Sequence, residues 1–306
     1  MVPSNLSRMG RGVPQFRVVV ADYSWSWDPG PLVAIGGAAA LYVVRWRRAR
    51  EEAGPRAASG WRLVAFGAGL TAVFAALVSP VDRLGEQLLV MHMTQHLLLL
   101  DVASVLLILG LTKVILRPAT RRLTRIERAA GPLAHPAFAV VAYAGTMAAW
   151  HVPAAYDAAL EHPALHVLEH VCFASAGLLY WWHLLSPIRA RHRLGGLGPI
   201  AYMASTKVLV GLLGIVITFS PSLLYDFYAG RSGVWGLSAL TDQNVAGALM
   251  ALEQSLIMGA ALAYLFIRML SESEREEQRA ERFELAEAGR REPPAERLGG
   301  DLNPVP

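Results

Sequence analysis

Five histidines stand near the same end of separate, strongly apolar segments. His92 and His96 lie in MHMTQHLLLL, His151 in WHVPAAY, and His166 and His170 in HPALHVLEH. Imidazole is costly to bury in hydrocarbon, so histidines inside such segments point to ion, proton or metal chemistry. Each pair is spaced i, i+4, which puts its two rings on one face of a helix. Met91 and Met93 flank His92, and Met250 lies in the last apolar segment. Imidazole with thioether suits copper, above all Cu(I), whereas imidazole with carboxylate suits zinc or iron. The methionines lean toward copper, although each is also an ordinary apolar filler. The candidate ligands are therefore His92, His96, His151, His166, His170, Met93 and Met250. Glu169 sits one step round the helix from His170, placed either to fix an imidazole tautomer or to face water. His135, His183 and His192 belong to the opposite end and are left out of the set.

The elements that must position these side chains are membrane spans. Of 306 residues, 54% are hydrophobic and 17% charged, and long uncharged apolar runs recur. That pattern predicts an all-α, polytopic helix bundle in a lipid bilayer. The net charge of +4 comes from arginines grouped in short loops beside apolar runs, so it gives no case for a nucleic-acid partner. Cys172 is the single cysteine, which excludes an intrachain disulfide and CxxC motifs and leaves it as a small core residue.

Seven runs are long enough to cross about 30 Å of hydrocarbon: 30–46, 61–79, 87–111, 135–151, 163–186, 199–220 and 243–268. Pro80, Pro118, Pro153, Pro187 and Pro221 fall at or just beyond their ends, where a missing N–H is harmless. The loops after the first, third and fifth spans hold most of the arginines, including Arg45 to Arg62, Arg117 to Arg128 and Arg189 to Arg193. The opposite loops contribute only Arg83 and Arg231. The bias predicts an outside N-terminus and a cytoplasmic C-terminus, against the vote of Arg8, Arg11 and Arg17 in the tail. The expected organisation is an extracytoplasmic tail over 1–28, a transmembrane domain over 29–270 and a charged cytoplasmic tail over 271–306, partly disordered. The first 28 residues lack the apolar run of a signal sequence, and Trp25 and Trp27 read as interfacial anchors.

On this topology all five histidines fall within about 14 Å of the outer boundary, and Asp242 and Gln243 stand at the mouth of the last span. A second polar layer lies deeper, where Asp101, Lys207 and Glu253 are expected within a few ångströms of one another. It reads equally as a cluster tying three spans together or as a proton or ion path.

The strings MHMTQHLLLL (91–100), WHVPAAYDAAL (150–160), HVLEHVCFASAGLLYWW (166–182) and DQNVAGALM (242–250) resemble the CtaG family of cytochrome c oxidase assembly factors. These are membrane proteins implicated in supplying copper to the oxidase. The WHxPxxY string followed by HxxxH carries most of the specificity, and the likeness extends over most of 60–268. Ala251 stands where the family pattern calls for an aromatic. The resemblance implies a nonenzymatic, copper-handling protein of the bacterial plasma membrane, partnered with cytochrome c oxidase subunits. It points to His92, His96, His151, His166 and His170. Other chemistries fit the same histidines. A membrane zinc hydrolase needs three protein ligands and an open position, though no clear general base stands at their depth. A b-type cytochrome needs two facing axial histidines. Transport through the deeper layer is a further alternative.

Overall fold

A computed structural model describes residues 20–188, 192, 194–231 and 233–291, and these contain helices and loops but no strand. The expectations for Arg8, Arg11, Arg17, Arg189, Arg191, Arg193 and the end of the C-terminal tail lie outside the described residues. The chain forms two compact units, Met1–Gly259 and Ala260–Pro306.

In the first unit α1 (Pro29–Ala53) and α2 (Gly60–Leu77) are followed by the short α3 (Pro80–Gly85). One unbroken rod comes next: α4 (Leu89–Leu97), a π-helical turn (Leu98–Ala103) and α5 (Ser104–Gly110). Then follow α6 (Arg117–Ala130), α7 (Pro136–Trp150), α8 (Pro153–Glu161), α9 (Pro163–Leu185) and α10 (Gly198–Thr218). The last helix, α11 (Ala239–Arg291), begins in this unit. Prolines open α1, α3, α7, α8 and α9, where the first helical N–H has no partner to lose. Each of the seven expected segments is helical.

Three helices are long and apolar enough to cross a membrane by themselves: Gly60–Leu77, Leu89–Gly110 and Gly198–Thr218. A fourth crossing arises if α7 and α8, bent by 75° at the break between them, act as one span. The polar side chains carried by α9, among them His166, Glu169, His170 and His183, lower its apolarity.

The α4–α5 rod is central, packed between α2 and α9, while α7 lies on α9 and α10. Close approach depends on small residues, as helix packing in lipid requires. A Cβ at Gly177 of α9 would fall 1.9 Å from the Leu100 carbonyl oxygen, so only glycine lets α9 touch the π turn. Gly214 and Gly247 play the same part for α10 and α11, each facing the other's carbonyl. At the rod's far end Arg62 donates to the Leu109 and Leu111 carbonyls at 2.7 and 2.8 Å, satisfying oxygens that the helix end leaves orphaned. Some of the arginines read as topology signals therefore also cap backbone. Amphipathic α6 carries Arg117, Arg121, Arg122, Arg125 and Arg128, all exposed.

The second unit continues α11 through a run in which residues 273–287 are exposed and mostly charged, as a charged helical extension should be.

Candidate metal centre

The first turns of α4 and α9 begin at one end of the bundle and face each other. His92 and His96 project from α4, His166 and His170 from α9. The His92 ring lies 4.3 Å from His96, 5.3 Å from His166 and 6.0 Å from His170, centroid to centroid. The His166 and His170 rings lie 4.3 Å apart, tilted by 51°, and His96 lies 5.7 Å from His170. Glu169 stands between the two helices. Its Oε2 is 3.5 Å from His92 Nε2 and its Oε1 is 3.5 Å from His96 Nε2. His92, His96 and Glu169 are sealed from solvent.

Two sets of donors lie close enough to share an ion, with all ligand atoms within 4.8 Å of one another: His92, His96 and His170, and His92, His166 and Glu169. Both ring nitrogens of His92 and of His96, Nε2 of His166 and of His170, and both Glu169 oxygens are buried without a hydrogen-bond partner. Buried polar atoms are rarely left so. A cation would take one lone pair from each residue of either set at once, so the residues fit a metal ion.

Of the two placements the sequence allowed for Glu169, beside an imidazole or facing water, the buried position against His92 and His96 overturns the second. Glu169 is i+3 from His166, a spacing that shares a helix face as fully as i+4 does. That relation to His166, rather than its adjacency to His170, was the available signal. Glu169 also sets a carboxylate against the imidazoles, where no clear general base was expected.

His151 stands beside the basket rather than in it. Capping α7, it makes a 2.7 Å hydrogen bond through Nδ1 to the Met147 carbonyl, and its Nε2 meets the Met93 sulfur at 3.2 Å. Its ring is 6.2 Å from that of His96. Imidazole and thioether are thus paired, but at the margin of the His/Glu basket. Met250 is buried on α11 and makes no hydrogen bond to the described histidines. Met91 is half-buried, and Cys172 is a free, half-buried thiol.

Residues that hold no ion set the geometry. Asp242, at the start of α11, accepts from the Leu89 and Val90 amides at 2.6 and 3.1 Å and so caps the helix that carries His92 and His96. Gln243 accepts from Leu224 N and donates to the Ser222 carbonyl, pinning the preceding loop. Tyr156 is buried 5.1 Å from His92, between the basket and Tyr225 and Tyr228. Asp157 accepts from the Asp226 and Phe227 amides. Gln95 donates to Asp82 at 2.9 Å, and Asp82 also accepts from Ser26.

The deeper layer differs from expectation in one member. Asp101 accepts from Tyr143 at 2.8 and 2.9 Å and from Trp181 at 2.7 Å, and it hydrogen-bonds Glu253. Lys207 is exposed and takes no part. Depth along a span was legible, but azimuth was not: Thr206 holds the inward position on α10, and the next residue is about 100° round.

A buried basket of imidazoles and one carboxylate, held within a bundle of apolar helices, defines a helical membrane protein built around a candidate metal-binding site. Residues 40–272 match the cytochrome c oxidase caa3 assembly factor family, Caa3_CtaG, and the chain belongs to that family. An uncharacterized protein of Mycobacterium leprae (strain TN) is 24% identical over 271 residues, which are 79% of this chain and 39% of that relative. The chain thus spans well under half the relative's length. No solved structure matches the chain.

Proposed function

We propose that this protein serves cytochrome c oxidase assembly by taking up copper at the His/Glu basket and passing it to an oxidase subunit. The observation that carries the reading is the convergence, from α4 and α9, of buried imidazole and carboxylate atoms that have no other partner. We place seven spans across the bacterial plasma membrane, with the histidine end facing outward and the arginine-rich loops in the cytoplasm, as loop charge favours. Copper outside the cell would then reach the site without crossing the bilayer.

Cargo binding and release call for unequal ligands. His92, His96, His166, His170 and Glu169 would hold the ion. Met93 and His151, at the basket's edge, offer a softer pair suited to Cu(I) on its way in or out. Ligand exchange between the two needs no change in the fold.

Metal analysis of the wild type beside a His92→Ala/His96→Ala variant tests the site, with copper expected in the first and missing from the second. Deletion of the protein should leave oxidase polypeptides made but inactive; normal oxidase activity in the deletion strain would defeat the assembly role.

Glu169 favours a second reading. Imidazoles with a carboxylate suit zinc, and a buried glutamate beside a zinc-bound water is the arrangement of a metal hydrolase. Stoichiometric zinc with turnover of a lipid amide would select this reading over copper delivery.

A further inference from the structure

Five residues after His96, on the same rod, the π turn carries Asp101 into the middle of the bundle. Asp101 is 1% exposed. Its oxygens accept from the Tyr143 hydroxyl on α7 and the Trp181 indole on α9, and it hydrogen-bonds Glu253 on α11. The π turn is itself held open by a side chain, since Ser104 Oγ donates to the Leu99 carbonyl at 3.1 Å. Neither the basket nor its supports use this group. The two carboxyls can hydrogen-bond each other only if one of them carries a proton, because an ionised carboxylate is acceptor-only. Both Asp101 oxygens already act as acceptors, so Glu253 is the carboxyl placed to donate.

A file of hydroxyls leads from this pair toward the arginine-loop end. Tyr143 packs 4.5 Å from Tyr180, the Tyr180 hydroxyl bonds Thr206 at 2.7 Å, and Tyr202 stacks 4.6 Å from Tyr180 and donates to its carbonyl. Tyr202 and Ser205 line a cleft between the starts of α7 and α10, with His135 and His192 also in its wall. Lys207 on α10 is exposed, and His183 on α9 lies 6.3 Å from Tyr202, at the cleft end.

We propose that Asp101 and Glu253 form an intramembrane proton-binding site, filled and emptied through Tyr143, Tyr180, Thr206 and Tyr202 from the cleft at the arginine-loop end. Uptake adds one proton to the paired carboxylates and takes their joint charge from −2 to −1, and release reverses it. Tyr143 passes its proton to Asp101, Thr206 and Tyr180 exchange protons through their hydrogen bond, and water carries the proton across the two gaps, Tyr143 to Tyr180 and Thr206 to Tyr202, so no oxidant or reductant is needed. The site stands on different residues from the basket and holds whichever ion the basket binds.

Infrared spectroscopy of the whole protein in lipid nanodiscs, at neutral pH, tests both parts. The wild type should show the C=O stretch of a protonated, buried carboxylic acid. Glu253→Gln should abolish one such band, Asp101→Asn should shift that same band, and Glu169→Gln should leave it in place while removing only a band of its own. A spectrum with carboxylate bands alone, or bands that move when sodium replaces potassium, would overturn the proton site in favour of a cation or a structural pair. A band lost in Glu169→Gln with none lost in Glu253→Gln would overturn the assignment. For the route, Thr206→Val should slow deuterium exchange of the band several-fold and Thr206→Ser should restore it; equal exchange rates in all three proteins would overturn the path. Far-ultraviolet circular dichroism reports folding of each variant independently.

Discussion

Glu169 has opposite effects on stability with and without an ion. A carboxylate sealed among imidazoles and lacking hydrogen bonds costs free energy in the metal-free protein. Glu169→Gln replaces the unpartnered carboxyl, at nearly constant volume, with an amide that can donate to the imidazole nitrogens beside it, so in chelator it should raise stability by about 1–3 kcal/mol and the melting temperature with it. With the metal bound the sign should reverse, because a ligand has been lost and binding no longer favours the native state. Melting curves recorded with and without the ion check both signs; the same shift in each would remove Glu169 from the ligand set. Asp242→Ala is the complementary case. It strips two amides at the start of α4 of their acceptor and should cost about 1–2 kcal/mol while weakening metal uptake through displacement of His92. The histidines were legible because i, i+4 repeats stand out in apolar sequence. Glu169 and Asp242 were less so, since one role depended on choosing His166 as the reference and the other on a contact 153 residues away.

Helices meet here through glycine, and one contact is unusually unforgiving. Alanine at Gly177 would drive its methyl into the Leu100 carbonyl, which is backbone and has no flexible end to give. We expect Gly177→Ala to destabilise by about 1–3 kcal/mol or more through forced separation of α9 from the rod. Gly145→Ala on α7, where a Cβ meets nothing within 4 Å, should instead be neutral or stabilise by up to about 1 kcal/mol. Thermal unfolding of the two variants side by side separates packing from propensity. Apolar run length and the prolines at run ends marked all seven long helices. The break between α7 and α8 followed from Pro153. Nothing in LLLDVA announces a π turn, because its cause is tertiary: the close passage of Gly177 and the back-bonding Ser104.

At the scale of the whole molecule the charge bias makes a directional statement that labelling can test. In a Cys172→Ser background, a cysteine placed at exposed Glu161 should react with a membrane-impermeant maleimide added to intact cells. One at exposed Ala129 should react only after the cells are opened. The reverse pattern would turn the basket toward the cytoplasm and remove the case for copper taken from outside. Composition was enough to place the chain in a membrane, and span starts were enough to group residues by depth. What sequence could not supply was rotation about each helix axis, and that is why Lys207 was placed with Asp101 when Thr206 is the residue that faces inward.

The π turn makes the rod a phase adjuster. It houses a surplus residue between the histidine face and α5, so the two halves are wound out of step and each still meets its neighbours. Winding 98–103 as ordinary α-helix with every residue kept would swing one half by about 100° against the other. Either the imidazoles or Asp101 would then turn away from their partners. The two polar centres are therefore mechanically indexed to each other by one widened turn of the rod.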